Sequence, residues 1–189
     1  MYIYNSMSSS ISHKIKQREN PKDVWITPEC LAITHIVKTQ EIANQFSLKI
    51  WYDPFKNSGN YYNNFPANQM KDWAEILEGR DFFKYEPDDW GDLSSDLIIC
   101  SNPPFSMMDE VYARCIELKP AVISLMVALH SITPRRIEIM NNAGYSLVNL
   151  HLCKVFAWYG MSAYVIFTLT PENPTNLGGG LSFDRNVWR

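Results

Sequence analysis

The chain has 189 residues, 46% of them apolar and 20% charged, which suits one well-cored domain and excludes disordered, collagen-like and coiled-coil chains. Seventeen Lys and Arg against 20 Asp and Glu leave a formal charge of −3, with a pI near 5.8. The surface as a whole therefore does not attract polyanions, and any nucleic-acid contact must use a local basic cluster.

The elements follow in chain order. Residues Met1–Pro21 read as a flexible arm, polar and Ser-rich where a secretory signal would need an apolar stretch. Thr27-Pro28 marks a helix start, Thr as a cap and Pro in the first turn. Apolar residues at Leu31, Ile33, Ile36, Val37, Ile42, Ala43 and Phe46 then predict a helix over Glu29–Phe46. Leu48–Tyr52 is a short apolar strand running directly into Asp53-Pro54-Phe55-Lys56-Asn57-Ser58-Gly59. Lys71–Leu77 is a second strand or a helix start, and Asp81-Phe82-Phe83 follows it. Asp96–Cys100 has the apolar run of a buried parallel strand. It ends at Ser101-Asn102-Pro103-Pro104-Phe105, through which no regular element continues.

Met107–Lys119 reads as a helix and Ala121–Leu129 as the next buried strand. That apolar run is far shorter than the roughly 20 residues of a membrane span. Thr133–Ala143 is a helix ending at Gly144. Ser146–Trp158 and Ala163–Thr170 form an antiparallel strand pair turning at Tyr159-Gly160. Pro171–Arg189, with three consecutive glycines, reads as a loop-like tail. The expected organisation is an arm over 1–21, one domain over 22–170 and a tail over 171–189. Alternating strands and helices predict an open, mostly parallel α/β sheet with an antiparallel edge strand and helices on both faces. Ligands in such sheets sit beyond the carboxyl ends of the strands. Both unusual loops, Asp53–Gly59 and Ser101–Phe105, follow strand ends and should open onto one crevice.

Consecutive prolines stiffen the second loop and remove two amide donors. The Asn102 side-chain oxygen and the Pro103 carbonyl become fixed acceptors beside an aromatic ring. Such a set fits a planar group bearing an NH2: two acceptors hold both hydrogens while Phe105 stacks on the ring. An aromatic amine is a poor nucleophile because its lone pair is delocalised. Acceptors on both hydrogens favour a tetrahedral nitrogen and stabilise the charge that develops on it.

Asn102-Pro103-Pro104-Phe105 after one apolar strand, with Asp53-Pro54-Phe55 after an earlier one, resembles the S-adenosylmethionine-dependent methyltransferases that act on the exocyclic amine of adenine in DNA. Trp25-Ile26-Thr27-Pro28 is similar to that family's segment before the first strand, and Asp81-Phe82-Phe83 to its DFF segment. The loop order is like that of the gamma arrangement and the short phage and viral enzymes. The resemblance covers Val24–Thr170 and implies a Rossmann-like methyltransferase fold. It further implies that S-adenosyl-L-methionine is the cofactor and that Asn102, Pro103, Pro104 and Phe105 form the catalytic loop.

On the same resemblance Asp53 binds the methionine ammonium, and Trp25, Thr27, Pro28, Pro54, Phe55 and Gly59 shape the cofactor pocket. Asp81 accepts from the cofactor adenine amine and Phe82 packs on its ring. The ribose ligand falls to Glu75 or Glu78, with Glu78 preferred. Asn57 stands where the DPF-x-G-x-G pattern has its first glycine, and asparagine tolerates left-handed φ better than most residues.

Related loops occur in RNA adenine and protein glutamine methyltransferases, and a non-catalytic cofactor-binding subunit is a further alternative. Phe105 favours adenine, because Tyr is usual in the glutamine enzymes. Arg135 and Arg136, beside Pro134 at a strand end, are the candidate phosphate contacts; Lys14, Lys16, Arg18 and Lys22 in the arm form a second basic cluster. No target-recognition domain is evident, which implies short sequence specificity, a homodimer or a recognition partner.

The remaining features have structural readings. The four cysteines, Cys30, Cys100, Cys115 and Cys153, form no CxxC pair, and the four histidines stand at no ligand spacing near them. No metal site is expected. Trp51, Trp73, Trp90 and Trp158 read as packing residues, His130 and His151 as local histidines, and Asp88, Asp89 and Asp92 as a solvated loop. A soluble, cytoplasmic protein is the expectation.

Overall fold

The computed structural model describes residues 23–43, 50–84, 96–154, 160–169 and 180–183. The arm, Trp90, Trp158, the acidic loop at 88–92 and most of the tail lie outside the described residues.

Among the described residues ten helices and strands carry the fold. These are α1 (Glu29–Ala43), β1 (Ile50–Asp53), β2 (Met70–Trp73), β3 (Leu97–Ser101), α2 (Met108–Leu118), β4 (Val122–Ala128), α3 (Pro134–Asn142), β5 (Tyr145–Cys153), β6 (Ser162–Leu169) and β7 (Gly180–Phe183). They form one seven-stranded sheet in the order β2-β1-β3-β4-β6-β5-β7. Strands β2, β1, β3 and β4 run parallel. β6 is antiparallel to both β4 and β5, and β7 adds to β5 in parallel. The antiparallel strand thus has β5 and β7 outside it.

The central strands read as apolar runs because both of their faces are covered. Every residue of β1, β3 and β4 is buried. Ile50, Tyr52, Leu97, Ile99, Ile123 and Leu125 point to a core shared with Val111, Tyr112 and Cys115 of α2 and Met140 of α3. The alternate residues Trp51, Ile98, Cys100 and Val122 pack on Ala32, Ile36 and Ala43 of α1. One strand period thus supplies two cores.

The structure corrects the expected elements in places. Lys71–Leu77 is neither one strand nor a helix start: β2 ends at Trp73, and a 3-10 turn covers Ile76–Glu78. The tail is not wholly loop, because residues 180–183 pair with Asn149–Leu152; β5 offers backbone groups on that side which a short extended segment satisfies. Thr27 does not cap α1. The Pro28 carbonyl takes the first helical amides, from Leu31 and Ala32 at 3.0 Å each, and the Thr27 hydroxyl is engaged elsewhere. The capping device does appear at α3, where the Thr133 hydroxyl accepts from the Arg136 amide.

Candidate active site

From β1 the chain turns outward to β2, and from β3 it builds the other half of the sheet. The carboxyl ends of β1 and β3 therefore flank the point where the strand order reverses, which is where open α/β sheets bind ligands. Asp53 ends β1, and Ser101 ends β3 next to Asn102.

Asp53 has no solvent exposure. Its Oδ1 accepts from the Ser101 hydroxyl at 2.6 Å and from the Phe55 amide at 3.3 Å. Its Oδ2 has no hydrogen-bond partner, and the Tyr62 amide lies near enough to the carboxyl to favour its charged form. Burial pushes the carboxyl up to about 7; the Ser101 hydroxyl and the Phe55 and Tyr62 amides pull against that, and Glu75 adds a smaller upward push. A buried carboxylate oxygen without a donor is a site for a cation.

The loop after Asp53 keeps the turn that the glycine pattern implies. Asn57 takes a left-handed φ of 44°, and its amide donates to Glu75 Oε2 at 2.8 Å. Gly59 has φ 83°, and that left-handed conformation selects glycine; a Cβ there would meet only the tip of the exposed Asn63 side chain.

A cleft of about 270 Å3 adjoins this loop, lined by Phe55, Glu75, Asp81, Phe82 and Phe83 together with Pro54, Ile76, Pro104 and Met107. It is close to the ~300 Å3 lower bound of small-molecule sites. Phe55 and Phe82 meet edge to face at 5.1 Å. Asp81 Oδ1 accepts from the Phe83 amide at 3.1 Å. Of the two ribose candidates, Glu75 lines the cleft. Glu78, the preferred one, does not line it, and its carboxylate is committed to Lys56 at 2.9 Å on both oxygens. The Glu75 carboxylate in turn accepts from the Asn57 and Leu77 amides. A second recess is bordered by Trp25, Thr27, Phe55, Asn60 and Asn102 among others. Phe55 separates the two. A larger groove along α3, about 580 Å3, includes neither loop.

Asn102 is fixed by a strap formed by residues 23–27. Its Nδ2 donates to the Thr27 hydroxyl at 3.0 Å and to the Trp25 carbonyl at 3.3 Å. Its Oδ1 is shielded and accepts nothing. A carbonyl can only accept, so the amide nitrogen must face the strap and the oxygen must face away. Pro103 is buried and Pro104 half-buried. Phe105 packs with Trp25 against Leu31, Met126, Cys153 and Tyr164.

The strap is itself tied down. Asp23 accepts from the Ser106 amide at 2.6 Å and from Trp25 Nε1 at 3.0 Å. Asn60 Nδ2 donates to the Thr27 carbonyl at 2.7 Å. Pro28, expected at the cofactor pocket, serves as the N-terminal cap position of α1 and lines neither cavity.

The basic pair divides. Arg136 is bound to Asp109 at 2.7 Å and to the Ser131 carbonyl at 2.9 Å, so part of its guanidinium is already engaged within the protein. Arg135 is exposed. Trp51 is buried in the core, and Trp73 lies between Lys56 at 3.8 Å and Arg80 at 4.4 Å, both packing roles.

Ser101, Asn60 and Asp23 carry contacts that the motif reading did not assign. The one available signal was Ser101, a hydroxyl residue closing an apolar strand. Among the described residues no group of three His, Cys, Asp or Glu is placed to hold a metal ion. None of their helices is long and apolar enough to cross a membrane.

No family model matches the sequence, and no curated protein sequence matches it either. The fold does have solved counterparts. A candidate class I S-adenosylmethionine-dependent methyltransferase from Listeria monocytogenes superposes with a TM-score of 0.64 at 8% identity, over 94% of this chain and 71% of that one. A candidate RNA methyltransferase from Pyrococcus horikoshii gives 0.59 at 12%, over 86% and 99%. The type I restriction-modification methyltransferase subunit from Streptococcus thermophilus gives 0.55 at 13%, over 81% of this chain and 46% of the other. This chain thus spans about half the length of that subunit. The sheet and its helices have the α/β fold of the S-adenosylmethionine-dependent methyltransferases.

Proposed function

We propose that the chain binds S-adenosyl-L-methionine and transfers its methyl group to the exocyclic amine of adenine in DNA. The observation that carries the reading is Asn102 Oδ1, an unused acceptor on the residue that follows Ser101, whose hydroxyl binds the buried Asp53 at the sheet's reversal point.

The residues present fit the cofactor. Asp53 Oδ2 lacks a donor that an ammonium group would supply. Phe55 and Phe82 offer apolar faces to an adenine ring, Asp81 an acceptor for its amine, and Glu75 an acceptor for ribose hydroxyls. When bound, the cofactor supplies an electrophilic methyl carbon on a sulfonium. The chain's own residues position the nucleophile. Asn102 Oδ1 and the Pro103 carbonyl take the two amine hydrogens, and Phe105 stacks on the base. As nitrogen gains positive charge, these acceptors strengthen their hold, which lowers the barrier without a strong base; the new N–C bond would form as the methyl carbon's bond to sulfur breaks, leaving neutral S-adenosylhomocysteine, and the surplus proton would pass from nitrogen to solvent. Holding both reactants in line supplies much of the remaining rate. An extrahelical or single-stranded base is needed to reach such a loop.

The Phe after the prolines favours adenine over glutamine, and the restriction-modification subunit that shares the fold favours DNA as the polymer. The shared fold of the Pyrococcus protein makes RNA the second substrate to test.

A labelled-methyl assay on DNA, RNA and protein tests the reading. DNA should accept the label, and Asn102→Ala should cut kcat by about 100- to 1,000-fold while S-adenosylhomocysteine binding stays within a few-fold. Label on protein alone, or an Asn102→Ala variant with normal turnover, would defeat it.

A further inference from the structure

We infer that Thr27 is a positioning residue for the transfer step: its hydroxyl anchors the Asn102 amide nitrogen in place, while the Trp25 carbonyl, which can only accept, sets which end of the amide faces the target amine. This inference rests on the methyl-transfer reading above.

An asparagine amide has two nearly isosteric ends. Either end can face a substrate, and only one of them accepts a hydrogen bond. In this site the choice is made by the strap. Asn102 Nδ2 has two acceptors, Thr27 Oγ1 at 3.0 Å and the Trp25 carbonyl at 3.3 Å. The hydroxyl contact is the shorter. A flipped amide would set Oδ1 against the Trp25 carbonyl, oxygen to oxygen, and present two donors to an incoming NH2.

Three further observations support the role. Thr27 lies one residue ahead of Pro28, whose carbonyl receives the first helical amides, so its hydroxyl is outside the position that caps α1. The hydroxyl is thereby left for Asn102. Thr27 is only 5% exposed, so water competes poorly for it. The Thr27 carbonyl accepts from Asn60 in the Asp53 loop at 2.7 Å, while Asp23 ties the strap to Ser106 beyond Phe105. One residue therefore joins the two loops that must meet for transfer.

The test is a comparison of wild type, Thr27→Val and Thr27→Ser on the polymer that accepts the labelled methyl. Steady-state kcat and KM are measured, with S-adenosylhomocysteine binding by calorimetry alongside. Val preserves shape and removes the acceptor. It should lower kcat about tenfold to hundredfold, the scale of a misplaced reacting group, with S-adenosylhomocysteine affinity within threefold of wild type. Ser should restore kcat. If Thr27→Val does not fold, Thr27→Ala removes the same acceptor without the added bulk and takes its place.

Three results overturn the inference. One is a Val variant with kcat within threefold of wild type. Another is a loss of S-adenosylhomocysteine affinity that accounts for the loss of turnover, which would make Thr27 a cofactor contact. The third is a Ser variant as slow as Val. A wild-type chain that methylates none of the three polymers instead defeats the methyl-transfer reading, and this inference falls with it.

Discussion

Asp53 has unequal oxygens, one satisfied by Ser101 and Phe55 and the other without a hydrogen bond, and its carboxyl titrates near 7 because it is buried. Two pH effects of opposite sense follow. Binding an ammonium group at Oδ2 needs the carboxylate. The apparent Kd for S-adenosylhomocysteine should therefore rise by up to about tenfold per pH unit below about 7, and Asp53→Asn should bind weakly with that pH dependence removed. Stability goes the other way. The folded-state value lies above the ordinary value of 3.8, so the folded chain holds this proton where the unfolded chain has lost it. That contribution is complete below about 4 and is lost as pH rises through about 7. The ligand-free protein should lose stability relative to Asp53→Asn across that window. Calorimetric titration and paired melting curves at several pH values check both; a flat difference between the two proteins would show that Asp53 is not the group responsible.

At the level of elements, legibility follows burial. β3 and β4 were readable because strands covered on both faces become apolar runs. β2 was not, since Met70 and Lys71 are exposed and Asp72 and Trp73 half-buried, which leaves no periodicity. The β7 segment was hidden by its neighbouring glycines and depends on the edge that β5 offers. The two site loops stood out because proline and glycine constrain the backbone locally. The strap that orients Asn102 did not, because its contacts join residues 75 to 83 positions apart, and no local pattern encodes them. Helix ends carry their own chemistry. α2 ends at Lys119, which takes φ 50° where glycine is usual. Lys119→Gly should relieve that conformation and stabilise the fold by about 0.5–1 kcal/mol, or ~1–4 °C in Tm at this chain length. An unchanged or lowered Tm would show that the Lys side chain compensates.

Across the whole molecule, the described cations near the cleft are largely engaged: Lys56 with Glu78, Arg80 with Asp72, Lys84 with Asp81 and Arg136 with Asp109. Together with the formal charge of −3, this leaves few charges in the described residues for phosphate neutralisation. The two neighbouring arginines should then behave differently. Each phosphate contact contributes about one unit to the slope of log affinity against log salt. If Arg135 makes one, Arg135→Ala should weaken binding to all sequences alike and flatten that slope by about one, with Tm unchanged. Arg136 joins Asp109 of α2 to the Ser131 carbonyl before α3, and it holds the Asp109 carboxyl below its ordinary range. Arg136→Ala should therefore lower Tm and leave the salt slope as in wild type. Titrations of labelled oligonucleotides between 50 and 200 mM salt, with melting curves of the same samples, separate these outcomes. A slope that flattens for Arg136→Ala but not for Arg135→Ala would reverse the assignment and place the polyanion over the α2–α3 junction.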